Sequence, residues 1–137
     1  MSISLSNIKW GWVILGVVIA YLIAYGVSFL VVTGYATYLA FQARGAPDQT
    51  LINEFAATYA EIVGSIFIGV GTLVGGLMAG RKSKGNALNN GLAVGLITAI
   101  ICLVLDLLGS PNLWTVVCIV LSLGGGLGGG RIASRRG

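Results

Sequence analysis

Four long apolar runs, separated by short polar gaps, constrain this chain more than any other feature. They cover about residues 10–41, 51–80, 87–108 and 112–130. A bilayer core of about 30 Å takes about 20 helical residues. The third and fourth runs fit that length, and the first and second exceed it by about ten residues each. Only 9% of the 137 residues are charged, against about 25% in soluble chains. A backbone in lipid must satisfy its own polar groups, so each run is predicted to be a helix. The expected fold class is all-α, a four-helix transmembrane bundle forming one membrane domain over residues 1–137. The opening segment "MSISLSNIKWGWVILG" has the lysine and apolar stretch of a signal peptide. The stretch continues too far and lacks an A-x-A-like site, so it is expected to stay as an uncleaved first span.

The charges orient the spans. Lys9, Arg81, Lys82, Lys84, Arg131, Arg135 and Arg136 fall on one side of such a bundle. Arg44, Asp48, Glu54, Glu61 and Asp106 fall at or beyond the other. The positive-inside rule puts both termini in the cytoplasm, with Trp10 and Trp12 at the inner interface and Trp114 at the outer one. The expected location is a prokaryotic plasma membrane. The cations show no basic face and no basic–aromatic stripe, which argues against nucleic acid as a partner.

The excess length of the first two runs predicts an extension beyond the membrane on the outer side. Residues of about 33–59 form a helical hairpin around the turn "ARGAPDQ", standing about 15 Å proud at 1.5 Å per residue. In the short second connection, "GSPN", Ser110 suits a helix cap and Pro111 a first turn. Tyr35, Tyr38, Phe41 and Phe55 lie on the hairpin. A two-helix stalk can cover few such residues, so they are the candidate partner-binding surface.

The chain holds 22 glycines, and "GGLMAGR" at 75–81 recurs as "GGLGGGR" at 125–131. The first copy has the glycine spacing of a phosphate-binding loop, but Arg81 stands where the lysine belongs and no strand–helix pattern surrounds it. Small residues recurring every four positions give a better account. The first helix carries Gly16, Ala20, Ala24 and Ser28; the second carries Ala60, Gly64, Thr72, Gly76 and Gly80. The third carries Ala87, Gly91, Gly95 and Ala99; the fourth carries Cys118, Ser122, Gly126 and Gly130. Helices in lipid associate through close backbone approach, which such faces allow. The match between copies runs from Leu73 to Arg81 and from Leu123 to Arg131. It suggests two helical hairpins of the same orientation, related by an axis along the membrane normal.

Little points to chemistry. The absence of histidine removes His-based catalysis and metal sites, so no catalytic residue, metal or cofactor is expected and the chain is not expected to be an enzyme. Cys102 and Cys118 lie inside apolar runs, about equally far from the second connection, and are expected to be small buried hydrophobes. Tyr21 and Tyr25 fall nearer mid-membrane and need hydroxyl partners there. Glu61 and Asp106, at the outer interface, are the possible ion or proton site.

The stretch "GGLMAGRKSKGNALNNGLAVGLI" resembles a pattern in small four-span membrane proteins of bacteria and archaea. There G-G-x-x-A-G-R ends one helix and a glycine-spaced helix follows. The resemblance covers residues 71–97 and implies a fold without an activity. The expected function is a non-catalytic structural or accessory subunit, packing with itself as a homo-oligomer or with a larger membrane complex. The alternative is a small oligomeric transporter or channel with Glu61 and Asp106 at its outer mouth.

Overall fold

The computed structural model describes residues 8–83, 85–109 and 112–135. These form four helices: α1 (Trp10–Ala43), α2 (Gln49–Arg81), α3 (Ala87–Leu108) and α4 (Leu113–Arg135). All four are long and apolar enough to cross a membrane, and they mark the chain as an integral membrane protein in a lipid bilayer. Among the described residues there is no strand. Lys84, Ser110, Pro111 and Arg136 lie outside the described residues, and with them the proposed cap of α4.

The helices start and stop where backbone chemistry allows. α1 is capped by Arg44, whose own amide donates to the Phe41 carbonyl and whose left-handed backbone (φ 49°) turns the Gly45 amide back to the Ala40 carbonyl. α2 starts at Asp48, whose carboxylate accepts from the Thr50 amide at 2.8 Å. Gly85, at φ 86°, reverses the chain between α2 and α3. α4 runs unbroken through Gly124–Gly130 to Arg135, beyond the end expected near 130. Its glycines are held by backbone hydrogen bonds and by neighbouring helices, which offsets their low helix propensity.

The interior has the composition of a bundle packed in lipid. The largest fully buried side chains are Val13, Val94, Asn90, Thr72, Thr98 and Ser122. Bulky residues such as Leu22, Phe29, Leu30 and Leu113 point outward. Small side chains lie inside because contact between backbones holds the helices, while lipid accepts the large apolar groups. Buried hydroxyls bond their own helix: Thr72 Oγ1 donates to the Ile68 carbonyl at 2.9 Å and Thr98 Oγ1 to the Val94 carbonyl at 2.8 Å. α2 packs against all three other helices, whereas α1 and α4 make no close backbone approach.

One end of the bundle gathers the start of α1, the end of α2 and the start of α3. Lys82 Nζ lies 5.3 Å from the Trp12 ring centroid, and the Lys9 amide donates to Asn90 Oδ1 at 2.9 Å. Arg131 and Arg135 close α4 at this same end. At the other end Asn112 Nδ2 donates to Glu61 Oε1 at 2.6 Å, tying the start of α4 to α2.

Candidate functional site

The small residues of α1 and α2 lie where the two helices meet. A methyl group on Gly16 would stand 2.8 Å from the Gly75 carbonyl oxygen, and one on Gly71 would stand 2.6 Å from that of Ala20. Ala20, Ala24 and Ser28 are buried on the same face of α1. Further along, Ser28 Oγ donates to the Ala60 carbonyl at 3.3 Å, beside Gly64.

The two G-G-L-x-x-G-R copies are continuous helix and pack against one another. A methyl on Gly76 would stand 2.9 Å from the Gly126 carbonyl oxygen, and one on Gly80 would stand 2.7 Å from Ala133 Cβ. On the α3 side, a methyl on Gly91 would reach the Gly126 oxygen at 2.6 Å, and one on Gly95 the Ser122 oxygen at 2.6 Å. Gly130 would meet the Ala87 oxygen at 2.9 Å. Contact this close leaves no loop to cradle an anion. A second small face on α2, through Gly71, Gly75 and Ala79, lies beside the four-residue ladder. All three are buried, and the first two meet α1.

Above this closed half the helices separate around a cavity of about 320 Å³. Tyr21, Tyr25 and Ser28 line it from α1, Glu61 and Ser65 from α2, and Asp106 from α3. The two acids singled out in the sequence thus face one space. Glu61 is exposed and held by Asn112, and Asp106 is half-buried. Ser65 is 8% exposed and lines the cavity. Tyr21 donates to the Thr98 carbonyl at 3.3 Å and lies 3.5 Å from Cys102 Sγ. Tyr25 stacks on Tyr21 with centroids 5.9 Å apart and is otherwise exposed.

Cys102 and Cys118 form part of the cavity wall and join α3 to α4 as a disulfide, with Cα atoms 6.8 Å apart. Both are buried in an apolar cluster, as expected, and their pairing across α3 and α4 adds to that expectation. Their shared distance from the connection was visible in the sequence, but the rotation that turns both inward was not. Among the described residues no group of three or more His, Cys, Asp or Glu gathers as metal ligands.

The candidate partner-binding residues divide. Tyr35 and Phe55 stack at 4.0 Å and Phe55 meets Tyr59 at 4.7 Å, so these rings hold α1 to α2. Tyr38 and Phe41 are exposed, Phe41 at 80%. Compared with protein-family models, with curated proteins and with solved structures, this chain has no match.

Proposed function

We propose that this integral membrane protein is a non-catalytic structural or accessory subunit that docks on a larger membrane assembly or on copies of itself. Its termini face the cytoplasm, and the shared end of α1 and α2 projects from the outer surface. The reading is supported chiefly by the closed inner half of the bundle. There α1 meets α2 at Gly16–Gly75, α2 meets α4 at Gly76–Gly126, and α3 meets α4 at Gly91–Gly126. Packing this close suits a rigid support and leaves little space for a conduit. The projecting end presents Tyr38 and Phe41 on a base stiffened by the Tyr35–Phe55–Tyr59 stack. Exposed aromatic groups on a rigid element are suited to docking. The resemblance of residues 71–97 to small four-span proteins is compatible with this reading and adds no activity to it.

The test is purification from native membranes in mild detergent, comparing the wild type with a Tyr38→Ala, Phe41→Ala double variant. A stoichiometric assembly should be present in the wild type and lost in the variant, with the thermal midpoint unchanged. A monomeric wild type, or an assembly that survives both substitutions, overturns the proposal.

A second reading, a small transporter or channel, is favoured by one observation: Glu61 and Asp106 line the same cavity. Proteoliposome flux that disappears in Glu61→Gln or Asp106→Asn would support it.

A further inference from the structure

Beside the cavity, a second depression of about 510 Å³ runs along the outer flank of α1 and α3. Val17, Val18, Leu22 and Gly26 form its α1 side, and Ile101 and Leu105 its α3 side. Tyr21, Tyr25 and Leu105 border both spaces, so the groove and the cavity share a wall. The groove is apolar and faces lipid. The cavity wall is also largely apolar, but Glu61 and Asp106 are its charged lining groups among the described residues. Both spaces fall within the roughly 300–1,000 Å³ of small-molecule sites.

We propose that cavity and groove together bind an amphiphilic cation, a single-chain amine or quaternary ammonium compound. The cationic head sits in the cavity between the two carboxylates and the two tyrosine rings. The hydrocarbon chain lies in the groove between α1 and α3.

Three features select this chemistry. The sign is set by two carboxylates with no Lys or Arg in either lining. The neighbouring rings of Tyr21 and Tyr25, stacked at 5.9 Å, offer faces that attract a desolvated cation. The hydroxyl of Ser65, at the cavity wall, supplies a polar group to which a bound head or its water can hydrogen-bond. The chain is required by the groove, where Gly26 has no atom within 4 Å of the space a side chain would take. Packing at Ala20–Gly71 and Gly16–Gly75 blocks the inward direction, so the ligand arrives from the outer leaflet or the outer surface.

The inference does not rest on the docking role. It shares its carboxylates with the transport reading, but it is read by binding alone, without flux. The experiment is equilibrium dialysis of radiolabelled dodecyltrimethylammonium against the full chain in maltoside micelles, corrected for protein-free micelles. Saturable binding of about one ligand per chain is expected. Asp106→Asn and Glu61→Gln should each weaken it about tenfold, as expected for loss of one charge partner at a partly wet site. Gly26→Leu, which fills the groove from an uncrowded position, should weaken it without lowering the thermal midpoint. Unlabelled dodecyltrimethylammonium should compete, and dodecanoate should not. Non-saturable uptake, undiminished wild-type affinity in either carboxylate variant, or competition by dodecanoate would each overturn the proposal.

Discussion

At Gly126 there is no room for a methyl group: it would lie 2.6 Å from the Gly91 oxygen and 2.7 Å from Gly95 Cα. Two residues earlier, Gly124 has no atom within 4 Å. The two positions should therefore respond in opposite directions. Gly126→Ala should lower stability by about 1–3 kcal/mol, the usual range for overpacking. Gly124→Ala should raise it by up to about 1 kcal/mol through helix propensity. Thermal unfolding of both variants in one detergent checks the pair, and equal shifts would contradict the packing scheme. Ser122 gives a related test, because its hydroxyl is fully buried and has no partner among the described residues. Ser122→Ala should melt at or above the wild-type temperature, since it removes an unsatisfied polar group. The four-residue spacing was enough to find the buried face of α1. It was not enough for α2, where small residues lie on two faces, one packed on α4 and the other, through Gly71 and Gly75, on α1. A glycine's letter does not tell contact from open space, as Gly124 and Gly126 demonstrate.

The lengths of α1 and α2, and the turn between them, follow from hydropathy and from the Gly-Pro pair. The rotation of each helix about its axis does not. It is this rotation that turns Tyr35 and Phe55 toward each other and leaves Tyr38 and Phe41 outside. Aromatic pairs of this kind contribute about 0.5–1.5 kcal/mol beyond their buried area. Phe55→Ala should therefore raise amide exchange across residues 33–59 and leave α3 and α4 unchanged. Phe41→Ala should leave the exchange pattern as it is. Equal effects from the two substitutions would show that the stack does not hold the pair together. The turn offers a gain in the other direction. Arg44 adopts a left-handed backbone, which costs a residue with a Cβ about 1–2 kcal/mol. Arg44→Gly should relieve part of this, offset by the greater freedom of glycine in the unfolded chain. A rise in thermal midpoint is the expected result.

For the whole molecule, the polarity of the ends is the property that was most legible. Lys9, Arg81, Lys82, Arg131 and Arg135 lie at one end of the bundle, and Asp48, Glu54, Glu61 and Asp106 lie toward the other. The chain crosses the bundle an even number of times, so any one loop fixes the side of every other. The cavity was less legible. Its two acids could be named from their depth, but Tyr21, Ser65 and the Cys102–Cys118 pair enter its wall only through helix rotation. Because cations are retained on the cytoplasmic side, the acidic end should face outward. Single-cysteine variants decide this. With Cys102 and Cys118 changed to Ala, a cysteine is placed at Asn53 or at Ser134, both exposed and at opposite ends. A membrane-impermeant maleimide added to intact cells should label Asn53→Cys at once and Ser134→Cys only after permeabilisation. The reverse pattern would invert the protein in the membrane, and the carboxylate-lined cavity would then open to the cytoplasm. Labelling of both in intact cells would mean a mixed orientation, and the charge asymmetry would not be what positions the bundle.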